Sequence, residues 1–332
     1  MKRQKVEVNR IMREIYISTY HYVRDLKHSR YPKIKGLDIE LFRQQVDFLC
    51  ENFNVITMEQ VIESVKTGAS LPERAALITF DDGYTDNFAY ALPILEEHKI
   101  QGSFFIPAKA YSEHKLLDVN KIHYILASAD TSEIIPELKK KLDHYRGDEF
   151  NYPEWEELYN EFAIADRFDT ADTIFVKRLL QNGLPERLRN IICSELLEEF
   201  VGVSEEKLAY ELYMTEDQLR MMKRCGMFIG LHGYDHYWLA KIPEEQMRAD
   251  IDKSIEIMSE FIDRDSWVMN YPNGDYGPAV IDHVKKRGAC LGLSVDIGVA
   301  DLDKDDLFAL PRFDCNDFPP KSDNYLKYGE KA

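Results

Sequence analysis

Residues 76–84, Ala-Leu-Ile-Thr-Phe-Asp-Asp-Gly-Tyr, run an apolar strand directly into two adjacent carboxylates and a glycine turn. Neighbouring carboxylates repel, so Asp81 and Asp82 need something to offset their charge, and a bound cation is the simplest candidate. Alone, the segment also reads as an ordinary Asp-Gly turn at a strand end. A second strand end shifts the balance. Residues 227–236, Met-Phe-Ile-Gly-Leu-His-Gly-Tyr-Asp-His, again carry an apolar strand into polar groups, here His232 and His236. Imidazoles at i and i+4 on one helical turn face the same way and suit one metal ion, and Gly233 permits a tight turn where the strand ends.

Strand and helix signals alternate along the chain, which predicts an α/β fold built from βα units. Helices are expected at 39–52, 87–98, 243–262 and 278–287, and strands at 55–56, 102–106, 267–270 and 289–294. Between Asp82 and His232 the stretch 111–212 reads as helices at 133–145, 153–164, 173–181, 185–200 and 204–213.

These residues resemble the polysaccharide deacetylases with the NodB-homology domain, also called carbohydrate esterase family 4. Thr79-Phe80-Asp81-Asp82-Gly83 matches that family's first motif without a substitution. His232 and His236 match its His-Ser/Thr-x-x-His motif, with Gly233 where Ser or Thr is usual. Residues 269–274 are similar to its Arg-x-Pro-Tyr loop, with Asn270 at the arginine position. Leu310-Pro311-Arg312-Phe313 resembles the Leu-Pro-Arg that closes the domain in the branch acting on surface polysaccharides, and 20–24 and 42–59 are similar to the same branch. The resemblance covers 14–111 and 216–318.

It implies an irregular (β/α) barrel of about seven units, here with a large helical insertion, and a hydrolase that removes an acetyl or formyl group from the nitrogen of an amino sugar. It implies Asp82, His232 and His236 as ligands to a divalent metal, Asp81 as general base, and Tyr84, Asn270, Tyr271 and Pro272 at the substrate. The residue types suit that chemistry. An amide carbonyl needs polarising and the attacking water must lose a proton, and a three-ligand metal with open positions does both. One carboxylate must stay off the metal to accept the proton. The ligand set suits zinc first, with iron, cobalt, nickel or manganese as alternatives.

Two departures bear on the mechanism. Asn270 carries no charge where the family has an arginine orienting the base, and Arg312 is the candidate to reach the site instead. The family's Leu-x-His, whose histidine protonates the leaving amine, has no counterpart, since no histidine follows His283. His21, at the C-terminal end of an expected first strand over 15–20, is the best substitute. His283 is expected to be a solvated helix residue.

Composition bounds the rest. At 332 residues and 45% hydrophobic content the chain suffices for one large domain plus an insertion, or for two domains. The expected division is a barrel from 1–110 and 213–332, with 111–212 as a lid over the site or a homo-oligomer interface. A net charge of -17 disfavours a nucleic-acid surface while leaving room for a compact cationic pocket for one phosphate. No apolar run has the length of a signal peptide or transmembrane span, and five cysteines without CxxC spacing fit reduced thiols. The expectation is therefore a cytoplasmic enzyme acting on a nucleotide-linked or lipid-linked amino sugar during envelope glycan assembly. Cys50, Cys193, Cys225 and Cys290 read as core residues in helical contexts, and Tyr152, Trp155 and Tyr159 as a packing stripe rather than a sugar platform.

Two rival readings come from other classes. Two histidines and a carboxylate also hold iron in oxygenases, usually on an all-β jelly roll. A non-catalytic sugar-binding pseudoenzyme of the same fold is the other. Asn270 and the missing Leu-x-His favour it, and retention of Asp81, Asp82, His232 and His236 opposes it.

Overall fold

Six consecutive buried residues, Ala75–Phe80, leave no polar face to turn to water, so this strand belongs inside a parallel sheet covered on both sides. The computed structural model, which describes residues 13–147 and 149–329, places it there. The strands are β1 Glu14–Tyr20, β2 Val23–Arg24, β3 Leu37–Asp38, β4 Asn54–Val55, β5 Ala75–Phe80, β6 Gly102–Ile106, β7 Phe228–Leu231, β8 Trp267–Asn270, β9 Ala289–Leu293, β10 Ala300–Asp301 and β11 Phe313–Asp314. The main sheet runs β10-β1-β5-β6-β7-β8-β9, with β4 beside β5, β11 beside β1, and β2 paired with β3 apart from it. Pairing is parallel throughout except between β10 and β1. This is the expected α/β barrel architecture, built as a curled sheet, and it is not a jelly roll.

The helices are α1 Ile39–Asn52, α2 Met58–Thr67, α3 Leu92–His98, α4 Ala108–Glu113, α5 Asp118–Ser128, α6 Thr131–Tyr145, α7 Trp155–Phe162, α8 Ala171–Arg178, α9 Glu186–Phe200, α10 Glu205–Leu212, α11 Glu216–Arg224, α12 Glu244–Ile257 and α13 Pro278–Lys286. Local sequence fixes several ends. Thr57 and Gln60 form a capping box at the start of α2, and Gly68, at φ +75°, ends it in the left-handed conformation. The expected helix over 87–98 begins with a π-helical turn at Asn87–Ala91 before α3.

Strand alternation puts the chemistry inside. Ile15 and Ile17 of β1, Leu77 of β5, Phe105 of β6, Val268 of β8 and Leu291 of β9 share one apolar cluster within the curl. Continuing the same two-residue period toward the strands' C-terminal ends brings Thr19 and His21, Thr79 and Asp81, His232, and Asn270 to the same side. The interior thus changes from an apolar floor to a polar rim. Gly230 is required for the floor, since a Cβ there would lie 2.5 Å from the Phe105 ring.

The segment after β10 spans the gap between the sheet's two flanks. Leu310 bridges Leu293 at the end of β9, and Phe313 pairs with Ser18 of β1. Arg312 between them is held over the polar rim and is only 2% exposed.

Helices α5 to α10 pack around a separate apolar cluster that also takes in Tyr22 and Tyr84 from the barrel's loops. Trp155 and Tyr159 lie with ring centroids 5.1 and 4.9 Å from Phe175, and Tyr152 is buried nearby, as expected for packing. Two expectations are corrected. His283 is buried, because Asp252 of α12 reaches its Nε2 at 2.8 Å across the interface with α13. Cys290 sits in strand β9 rather than in a helix.

Candidate active site

The turn after β5 separates the two acids. Asp82 at φ +72° and Gly83 at φ +68° are successive left-handed residues, which swing Asp82 away from the direction of Asp81. Aspartate tolerates this region better than most side chains, and the turn is tied down by the Met214 amide, which donates to the Gly83 carbonyl at 3.0 Å. Asp82 thereby meets the histidines: its Oδ1 is 3.4 Å from His232 Nε2 and 3.3 Å from His236 Nε2.

The histidines converge by a route other than the expected helical turn. Residues 232–236 form an irregular loop in which Gly233 has φ +70° and His236 φ +57°. Tertiary bonds hold this conformation. Asp250 of α12 accepts the Tyr234 and Asp235 amides, each at 2.9 Å, while the first amides of α4, at Ala108 and Lys109, donate to the Gly233 and Tyr234 carbonyls at 3.0 Å. His232 Nδ1 lies 2.7 Å from the Asn270 carbonyl and must donate to it, which leaves the Nε2 lone pair facing Asp82.

The three candidate ligand atoms lie within 4.8 Å of one another. Asp82 Oδ1 is buried and has no hydrogen-bond partner, an expensive state for a carboxylate oxygen unless a cation completes it. A divalent metal held by Asp82, His232 and His236 fits that donor set. The other oxygen of Asp82 is occupied, because the Tyr84 hydroxyl donates to Oδ2 at 2.6 Å.

Asp81 is clamped separately. Arg312 donates from Nη1 to Oδ1 and from Nη2 to Oδ2, both at 2.9 Å, in a two-pronged pair. Asn270 adds a bond from Nδ2 to Asp81 Oδ1 at 2.5 Å and accepts Arg312 Nη2 on its own Oδ1 at 3.0 Å. Arg312 is fixed further by the Thr19 and Thr79 hydroxyls and the Ser294 carbonyl. Burial alone would push the Asp81 carboxyl up, but the Arg312 charge and hydrogen bonds outweigh it and the net shift is downward. Asp81 is therefore kept ionised. His21 stands at the solvent side, about half exposed, with Nε2 3.8 Å from Asp81 Oδ2.

A directed hydrogen-bond chain lies behind Asp82. Asn120 of α5 donates to the hydroxyls of Tyr84 at 2.7 Å and Tyr22 at 3.1 Å, while its Oδ1 accepts from Tyr213. With the amide protons so placed, the Tyr84 proton goes to Asp82 and the Tyr22 proton to His123 Nδ1 at 3.1 Å. Burial, then Lys177, lowers the His123 pKa to about 3, so this ring is a neutral acceptor. Tyr84, expected at the substrate, is fully buried and touches the Asp82 carboxylate instead. Tyr271 and Pro272 are likewise buried beside the site, and Asn270 contacts Asp81 and Arg312. The sequence reading missed Asn120, Tyr22, Tyr213, Asp250 and Thr19. Each acts through partners far away in the chain, although Thr19 and Tyr22 flank the end of β1.

A family model described as polysaccharide deacetylase matches residues 68–142 and 198–291, just over half of the chain. YxkH of Bacillus subtilis (strain 168), which carries a polysaccharide deacetylase name, is 20% identical over 223 residues, 67% of this chain and 70% of that protein. The Streptococcus pyogenes deacetylase PplD, solved in complex with acetate, superposes with a TM-score of 0.57 at 15% identity, covering 96% of this chain and 99% of that one. IcaB from Ammonifex degensii gives 0.52 at 18% identity, with 90% of each chain covered. At these identities the two structures show a shared fold. The matched residues include both strand-end motifs, with Asp81, Asp82, His232 and His236, and the chain belongs to the polysaccharide deacetylase family.

Proposed function

We propose that the protein is a metal-dependent hydrolase that removes the N-acyl group, acetyl first and formyl second, from an amino sugar. One observation carries the reading: an orphaned, buried Asp82 oxygen faces two imidazole nitrogens, beside a second carboxylate that Arg312 holds off the ligand set. When bound, a divalent ion, zinc by preference, polarises the amide carbonyl and makes water acidic enough to attack near neutral pH.

The chain's own residues do the remainder. Asp81 accepts the proton from the attacking water. Its basicity is modest because Arg312 stabilises the ionised form, so the transfer relies on that water being acidified first. Thr19, Asn270 and Arg312 fix the carboxylate's orientation, which limits the reorganisation needed as charge develops. His21 lies on the open side of Asp81 and delivers a proton to the departing amine. Arg312 supplies the charge that Asn270 lacks, which weakens the case for a pseudoenzyme.

The finer reading is an amino sugar bound for an envelope glycan, presented on a nucleotide or lipid carrier in the cytoplasm. Among the described residues no helix is long and apolar enough to cross a membrane. The test is metal content and acetate release from N-acetylated amino-sugar oligomers, measured on the parent and on His232→Ala. The variant should lose metal and turnover together while keeping its fold. Unchanged metal content would remove His232 from the ligand set, and metal-loaded parent protein that hydrolyses no acylated amino sugar would favour the pseudoenzyme.

A further inference from the structure

A cavity of about 400 Å³ opens beside His236. One wall is the chain that follows that histidine, through Trp238 and Lys241, and the other comes from the helical segment, through α5, residues 181–184 and the start of α9. Most of its charges are already matched. Lys109 pairs with Asp235, Lys121 with Asp118 at 3.2 Å and Glu205 at 2.9 Å, and Lys115 with Glu113 at 2.9 Å. Glu186 accepts the Tyr237 hydroxyl at 2.6 Å and the Gln246 amide at 3.3 Å.

Two lining cations, Arg189 and Lys241, have no ion pair among the described residues. Arg189 Nε is also buried without a hydrogen-bond partner, as is Trp238 Nε1. Buried donors without acceptors are costly and mark a place where something else supplies the acceptor. Two cations without an ion pair, Arg189 and Lys241, thus line one hollow in a chain whose net charge is -17. An oxyanion with several acceptor oxygens answers both charges, and the arginine fork suits phosphate.

We propose that this cavity binds a phosphate group of the substrate, held by Arg189, Lys241 and Trp238, while the acylated sugar reaches past His236 to the Asp82, His232 and His236 centre. The inference rests on the deacylase reading above and names its substrate class: an amino sugar joined to a phosphate-bearing carrier. The volume suits a diphosphate and one sugar, within the roughly 300–1,000 Å³ usual for small-molecule sites. Nucleoside diphosphate and lipid diphosphate carriers present the same phosphate chemistry to these side chains.

The experiment is calorimetric titration of inorganic pyrophosphate into the metal-loaded protein and into Arg189→Gln/Lys241→Gln, with Lys99→Gln, at the C-terminal cap of α3, as a charge control. The parent and the control should bind alike and the double variant at least tenfold more weakly. Lys241→Gln alone, an exposed position, should weaken binding severalfold even if the double variant folds poorly. No binding by the parent, or equal binding by the parent and the folded variants, overturns the proposal. Uridine diphosphate and farnesyl diphosphate, used as competitors, distinguish the carriers, and failure of both to displace pyrophosphate overturns the carrier assignment. If pyrophosphate binding depends on Arg189 while no acylated amino sugar is hydrolysed, the phosphate site stands and the deacylase reading falls. Acetate release from a neutral oligomer, with pyrophosphate binding indifferent to both substitutions, gives the reverse.

Discussion

Replacing Arg312 by methionine removes the guanidinium fork from Asp81 while keeping a long apolar stem in its place. Both partners are almost fully buried, at 2% and 3% exposure, so water cannot resolvate the abandoned carboxylate without opening the rim. Deleting one member of a buried pair costs roughly 3–5 kcal/mol. The loss of donors to Thr19, Thr79, Asn270 and the Ser294 carbonyl acts on the same network and does not add in full. Against a total stability of about 5–15 kcal/mol, this is a large fraction. Asp81→Asn alone strands the guanidinium instead and should also destabilise. The pair Asp81→Asn/Arg312→Met removes both charges and should be less destabilised than the sum of the single changes by about 1.5–3 kcal/mol. The assay is urea unfolding of the four proteins with metal held saturating throughout, because bound metal shifts apparent stability. A loss below about 1 kcal/mol for Arg312→Met, or additivity of the two changes within about 0.5 kcal/mol, would refute the buried clamp.

Asp81→Asn should keep metal occupancy near that of the parent while turnover falls by roughly two to four orders of magnitude, the usual worth of a general base; both are read on one preparation, and full activity would make Asp81 structural. Asn120→Leu, which removes the donor that aims the Tyr84 proton at Asp82, should weaken metal binding by about 10–100-fold, as changes behind a metal ligand commonly do. Competition against a chromophoric chelator measures it, and an unchanged dissociation constant would mean that Tyr84 orients itself.

The parts of this protein that were readable from sequence are those governed by local periodicity. Helix 39–52 and strands 102–106 and 267–270 have the expected bounds because apolar spacing and flanking turn residues set them. Asp81 with Asp82, and His232 with His236 four positions on, stood out because Asp81 and His232 each follow directly on an apolar strand. The route by which the histidines converge was misread, since a spacing of four is produced equally by a helical turn and by a glycine loop. What selects the loop is Asp250 and the start of α4, neither of which is near it in sequence. Helix α5 went unnoticed, and with it Asn120, whose significance depends on tyrosines at 22, 84 and 213 meeting in space. Arg312 could be picked out from its motif, but its fork onto Asp81 could not, because it arises from the way 310–314 crosses from β9 to β1.

That crossing has a consequence for the newly made chain. Asp81 and Arg312 are 231 residues apart. At a synthesis rate of about 5–20 residues per second, the carboxylate leaves the ribosome roughly 10–50 seconds before its partner. Over the last 76 residues of that interval, roughly 4–15 seconds, Asp82, His232 and His236 have all been made while Asp81 still lacks the arginine that aligns it. A nascent chain at that stage, or one clipped between residues 236 and 312, carries all three proposed metal ligands with the proposed base unoriented, so on this reading the capacity to hold metal arises earlier than the capacity to use it.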